Sequence, residues 1–228
     1  MRKRPVGGLL APLVAALLMP VVSCSGETGK TSAEEKSTCE ESLGASAMSW
    51  VKGSTQGGEL RFGGDENLDD VRSLVYRQMR DWDPGREGEY LNFADVEICR
   101  VKESGRELGM GYLKVRYGPS IFPFGEISDG GGKFTKVSVN SDVVLVYGQW
   151  DLGEPSRYDV YFRCQIPDAP AEQKNGVPVV GEMVDTLTGE TGARTRMKHL
   201  LHSAQVMART LDCENDPAIP SEPPASVK

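Results

Sequence analysis

Five cysteines, two histidines and a surplus of acids are the residues of this chain that could do chemistry. His199 and His202 stand three apart, a spacing at which two imidazoles on one helix can share a metal ion. No His-Glu-x-x-His order and no downstream ligand accompany them, so the expectation is a solvated helix face and no metal site. The same histidines are the only bases available to a Ser-His-acid triad, and no Gly-x-Ser-x-Gly turn presents a nucleophile. Paired carboxylates remain. Glu97, Glu126, Asp129, Asp142, Asp159 and Asp185 could meet in a glycosidase-like cleft, a mechanism that separation in space decides. Trp150 or Tyr161 beside such acids would suit stacking on carbohydrate, although a core position is the commoner fate of either ring.

Two apparent ligand loops fail on inspection. Gly26-Glu27-Thr28-Gly29-Lys30-Thr31 ends like a phosphate-binding loop, but the first glycine of G-x-x-x-x-G-K-[ST] would fall on Cys24. No strand delivers that loop and no apolar helix follows to offer its N-terminus to phosphate. Asp65, Asn67 and Asp69 match positions 1, 3 and 5 of a calcium loop. The sixth position is Asp70 where glycine is needed, and the twelfth is Tyr76 where a glutamate is needed. Acids there read better as the first turn of a helix, where the macrodipole favours them. No catalytic residue, cofactor or metal is assigned.

The elements that must position any site follow from periodicity. Leu68, Val71, Leu74, Val75, Met79 and Trp82 recur at helical spacing and stop at Asp83-Pro84. Residues 39–62 read as a short helix or strand entering the core. Residues 92–101, 110–117, 134–139, 143–150 and 158–166 are short and rich in β-branched and aromatic side chains, with turn residues between them. In the last, Tyr158, Val160, Phe162, Cys164 and Ile166 fall on one face and Asp159, Tyr161, Arg163 and Gln165 on the other, as in a sheet covered on one side. No helix separates these strands, so they are expected to pair as an antiparallel meander. Gly130-Gly131-Gly132 reads as a mobile hairpin tip. Ile121-Phe122-Pro123-Phe124 is an apolar contact site if exposed, or else folds back onto the sheet. Residues 167–180, with Pro167, Pro170 and Pro178, read as a surface loop or crossing connection. Met197, Leu200, Leu201, Ala204, Met207, Ala208 and Leu211 mark a second amphipathic helix, from near Ala193 toward Cys213. The expected fold is α+β: an antiparallel sheet of about five strands, one helix before it and one after it, stapled by disulfides.

The N-terminal segment sets the compartment. Arg2, Lys3 and Arg4 precede an apolar run from Val6 to Met19, and Val21-Val22-Ser23 leads directly into Cys24. This is the layout of a secretory signal. The tetrapeptide resembles the lipobox of bacterial lipoproteins, a resemblance confined to the first 24 residues. It implies diacylglycerol modification of the Cys24 thiol, cleavage before Cys24, and an address on the outer face of the cytoplasmic membrane. An uncleaved span needs roughly 20 apolar residues, and here Pro12 and Pro20 interrupt the run while Gly7 and Gly8 weaken it. The organisation expected is residues 1–23 as cleaved signal, 24–38 as lipidated cysteine and flexible tether, 39–213 as a single domain, and 214–228 as a disordered Pro-rich tail. In layout and signal the chain looks like the small, poorly characterised envelope lipoproteins of actinobacteria, with no motif that transfers a residue role.

With Cys24 lipidated, Cys39, Cys99, Cys164 and Cys213 form an even set in an oxidising compartment, and two disulfides are expected. Three connectivities are open. The pairing favoured is Cys39 with Cys213, clamping the domain ends, and Cys99 with Cys164, joining two strand-like stretches. The formal charge of −7 for 228 residues becomes more acidic once Arg2, Lys3 and Arg4 leave with the signal, which argues against nucleic acid as a partner. The function expected is a noncatalytic binding or accessory module of the cell envelope, with the membrane as one partner through Cys24 and a protein, peptide or glycan as the other. The alternative is an envelope hydrolase using paired carboxylates. A solute-binding subunit fits less well, because the strands do not alternate with helices.

Overall fold

A computed structural model describes residues 37–55, 58–64, 67–83, 95–105, 111–149 and 155–228. The signal, Cys24 and the phosphate-loop lookalike lie outside these residues, as do Asp65 and Trp150.

Helix α1 (Thr38–Ser54) starts where the Ser37 hydroxyl accepts from the Glu40 N–H at 3.2 Å, with Glu40 and Glu41 in its first turn. It kinks at Gly44, whose φ of 77° suits glycine, and a Cβ there would lie 2.6 Å from Nε2 of His202. Strand β1 (Leu60–Gly63) follows, then helix α2 (Leu68–Arg80), which buries Leu68, Val71, Val75 and Met79. Asn67 is its N-cap, accepting from the Asp70 N–H at 2.9 Å. That turn of the calcium-loop lookalike is therefore a helix start, with Asp69 and Asp70 at the positive end of the dipole. The buried amide of Gln173 donates to the carbonyls of Met79 (2.8 Å) and Trp82 (2.7 Å), closing the far end of the helix.

Strands β2 (Val96–Glu103), β3 (Tyr112–Pro119), β4 (Phe134–Ser138), β5 (Val143–Gly148), β6 (Arg157–Cys164) and β7 (Val177–Asp185) complete one antiparallel sheet with β1, in the order β1-β2-β3-β7-β6-β5-β4. Helix α3 (Ala193–Thr210) comes last. The α+β class with disulfides holds, but among the described residues the sheet has seven strands where about five were expected, and two helices precede β2. Nor is it one meander. β1–β3 and β4–β7 are separate runs joined by β7 pairing with β3. Strand β7 escapes the periodicity because Pro178 sits near its start and Gly181 interrupts its apolar pattern. Gly181 is there for contact: it opposes Tyr117 on β3, whose ring would lie 2.4 Å from an added Cβ.

All three helices contribute to one apolar core with a single face of the sheet, through Val115, Tyr117, Leu145, Val160, Phe162 and Met183 among others. The alternation expected in β6 is observed. Val160 and Phe162 point into this core, while Tyr161 joins a smaller cluster with Ile127, Phe134, Val144 and Val146 on the opposite face. Among the described residues, that second face is covered only by the connection 120–133, which carries the chain from central β3 to edge strand β4.

Among the described residues two disulfides are present, Cys39–Cys99 and Cys164–Cys213, with Cα–Cα distances of 4.7 and 4.9 Å. The pairing favoured from sequence is corrected. Cys99 on β2 and Cys164 on β6 are separated by β3 and β7, roughly 14 Å at about 4.8 Å per strand, beyond the reach of one bridge. The observed bridges pin α1 to β2 and the end of β6 to the chain after α3, each contributing on the order of 4 kcal/mol through the unfolded state.

Residues 214–228 are also corrected, from a disordered tail to a segment packed back along α3. Ile219 and Val227 are buried. Gln205 donates to the Ile219 carbonyl at 2.9 Å, Arg194 to that of Pro224 at 3.0 Å, and the Ala193 N–H to that of Lys228 at 2.8 Å. Prolines limit the entropy this segment loses on docking, and helix side chains satisfy carbonyls that its proline-rich backbone cannot pair internally.

Candidate binding site on the open face of the sheet

Register decides what shares the open face. Glu97 on β2 opposes Arg116 on β3, Arg116 opposes Glu182 on β7, and Glu182 opposes Asp159 on β6. One row across four strands therefore runs acid, base, acid, acid. Arg157, two residues before Asp159 on the same face, enters the row between the two acids. Its Nε lies 3.0 Å from Glu182 and donates to both oxygens of Asp159 at 2.8 and 2.9 Å. The Arg116 Nε donates to Glu182 at 3.0 Å, and its Nη1 lies 2.7 Å from Asp95. Asp95, Arg116, Glu182, Arg157 and Asp159 thus form a continuous chain of alternating ion pairs.

Burial and neighbours set the protonation of this chain. Asp159 is only 2% exposed, and burial, aided by the charge of Glu182, raises its carboxyl to about 6 against the pull of Arg157. Burial alone would lower Arg157, but Asp159 and Glu182 outweigh it and hold the guanidinium firmly protonated. Lys114, also on this face, is lowered by burial and by Arg116. The Tyr161 hydroxyl is raised, by burial first and then by Asp159.

Above this row lies a groove of about 350 Å³ lined by Asp95, Arg116, Ser120, Phe122, Arg157 and Glu182 among others. A smaller recess of about 120 Å³, which reaches Asp159 and Phe134, shares Phe122, Arg157 and Tyr161 with it. The connection 120–133 forms the lip. Ser120 is tied down by its N–H to the Pro178 carbonyl (2.7 Å) and by its carbonyl to the Trp82 indole (2.9 Å). Phe124 folds back beneath the Arg163 guanidinium, 4.3 Å from its ring centre, and Ile127 is buried, its carbonyl held by Lys136. Between these anchors Ile121 and Phe122 face outward, 49% and 51% exposed. The Ile-Phe-Pro-Phe group thus does both things expected of it, half presenting an apolar lip and half folding onto the sheet. Gly130, Gly131 and Gly132 all take positive φ in the turn that feeds β4.

The other residues singled out from sequence are dispersed. Asp185 lies at the end of β7, buried against Arg196 at 2.7 Å. Asp129 accepts from the Gly131 N–H at 3.1 Å, Asp142 sits in the β4–β5 turn, and Glu126 is exposed in the short helical turn Phe124–Glu126. Glu97 pairs with Arg100. Of the six acids, only Glu97 and Asp159 share the open face row. Glu182, the acid that joins it together, was missed; the signal was a lone acid inside the apolar run 177–184. The expected solvated histidine face is corrected in part. His202 is exposed, but His199 is 5% exposed and stacks on Trp50 of α1 at 4.8 Å, because α1 packs on α3 there. Burial, then the charges of Lys198 and His202, lower its pKa. A larger hollow, about 630 Å³, lies elsewhere, in the crevice where the tail meets α3. It has no aromatic wall, and its Asp212 is drawn to Arg72. Comparisons with protein-family models, curated proteins and solved structures find no match to this chain.

Proposed function

We propose that this protein is a noncatalytic binding or accessory module, displayed on the outer face of the cytoplasmic membrane by a lipid on Cys24, and that the open face of its sheet does the binding. The observation that carries this reading is the lip. Ile121 and Phe122 stand exposed beside a groove in which every charged lining group already has a partner of opposite sign. Adjacent apolar side chains at a groove mark contact surfaces. Carboxylates tied into ion pairs hold a shape and leave little capacity for proton transfer. The anchor draws support from the order of charge, apolar run and Cys24, and the two disulfides accord with an oxidising compartment. A photo-crosslinker placed at position 122 on intact cells is expected to capture an envelope partner, and no capture there would remove the proposal. Cys24→Ala is expected to lose lipid labelling and leave the membrane fraction; unchanged retention would remove the anchor.

One observation favours the alternative, an envelope hydrolase. A carboxyl raised to about 6 beside a second carboxylate is how an acid catalyst is made. Against it, Asp159 is buried and both its oxygens accept from Arg157. Cleavage of envelope glycan that disappears in both Asp159→Asn and Glu182→Gln, with folding intact, would establish the hydrolase.

A further inference from the structure

Resting on the binding function proposed above, we infer that the groove takes a neutral saccharide chain, seated on the Arg116–Glu182–Arg157 floor with a sugar ring against Phe122. The first ground is charge. Arg116 and Arg157 stand against Asp95 and Glu182 in the lining of the groove, so its charged groups leave no net excess to select an anionic or cationic ligand. Nucleic acid and anionic lipid headgroups both need uncompensated cations.

The second ground is hydrogen bonding. Arg157 meets both acids through its Nε, and the rest of its guanidinium carries further donors on a side chain that lines both hollows. Glu182 presents acceptor oxygens in the same wall. Alternating donors and acceptors, held rigid by mutual ion pairing, match hydroxyl groups, each of which donates and accepts. Pro119, Ile121, Phe122, Tyr161 and Val180 line the same groove beside these polar groups. A peptide adding as a strand would need a sheet edge, whereas this groove lies on the face of central strands β3, β7 and β6.

The third ground is shape. Phe122 borders both hollows, so its ring stands at the junction of one trough, with Tyr161 in the wall on each side. An exposed aromatic ring offers an apolar face to the C–H face of a sugar. The floor spans two strand spacings, roughly 10 Å, and its volume lies in the range of small-ligand sites.

The test is calorimetric titration of the full chain with neutral tetrasaccharides of N-acetylglucosamine, of glucose and of mannose. The expected result is saturable binding of at least one, insensitive to added salt and weakened about tenfold by Phe122→Ala, the loss of one ring contact. Tyr161→Phe, which removes only a hydroxyl, is expected to weaken it less. Because Phe122 is exposed, its variant is expected to keep the wild-type melting temperature, so a loss reports on the site. No binding by any of the three, or binding unchanged by Phe122→Ala, overturns the saccharide assignment. A phage-displayed peptide library panned on wild type and on Phe122→Ala separates this from the broader reading. Peptides retained only by wild type, with no saccharide bound, overturn the saccharide and keep the binding surface; neither ligand overturns both.

Discussion

Two arginine–carboxylate clusters lie on opposite faces of one sheet, both drawing an acid from β7. On the helix side, Asp185 accepts from Arg196 at 2.7 Å, from the N–H groups of Leu187 (2.9 Å) and Thr188 (3.0 Å), and from the Thr188 hydroxyl at 2.5 Å. Arg196 in turn donates to the Tyr158 hydroxyl and the carbonyls of Gly192 and Glu190. Both side chains are almost wholly buried. On the open side, Arg116 and Arg157 keep about a third of their side chains exposed at a groove, and the chain of pairs ends at half-exposed Asp95. The first cluster is closed and serves the fold; the second is open and presents rigid polar groups to whatever enters. The difference is what covers each face, since the local chemistry is nearly the same.

The largest expected effect tests that contrast directly. Arg196→Met leaves the Asp185 charge buried without its partner and is expected to cost about 3–5 kcal/mol in urea unfolding. Arg116→Gln is expected to cost about 1–2 kcal/mol, because water reaches its site. Equal losses would erase the distinction. Gly181→Ala drives a methyl into the Tyr117 ring on the helix side and is expected to cost about 1–3 kcal/mol by the same measurement.

The two faces are also expected to respond oppositely to acid. His199, between α1 and α3, has its folded pKa lowered, so its contribution is present above the unfolded value of about 6.5 and is lost as pH falls through that value and below. Asp159 is raised from 3.8 to about 6, so the folded state takes up its proton first and gains stability as pH falls from about 6 toward 4. In urea midpoints followed from pH 7.5 to 4.5, His199→Gln should reveal a stabilisation on the order of 1 kcal/mol, and Asp159→Asn should remove it. The smallest effect concerns the lip: Phe122→Ala is expected to shift stability by less than about 0.5 kcal/mol. A larger loss would mean that Phe122 belongs to the fold.

Much of the scaffold was legible because it depends on near neighbours in the chain. The apolar spacing from Leu68 to Met79 and from Met197 to Leu211 located α2 and α3, and the alternation from Tyr158 to Ile166 separated a covered from an open face. Legibility failed where a residue's reason lies in another element of the fold. Gly44 in α1 makes room for His202, Gly181 in β7 for Tyr117, and neither glycine carries that reason in its own segment. The packed tail was hidden similarly, since its partners are side chains of α3.

The chain by itself determined helices α2 and α3, the two-faced character of β6, the acidic balance and the parity of cysteines beyond Cys24, because each follows from composition or short-range periodicity. Only the tertiary structure decided which cysteines meet, that β7 lies between β3 and β6, and that Glu182 stands beside Asp159 with Arg116 and Arg157 to either side. The physical reason is that alternation tells a side chain which face it occupies, whereas strand order and register tell it which neighbour lies about 5 Å away. Ion pairing, bridging and grooves depend on the neighbour.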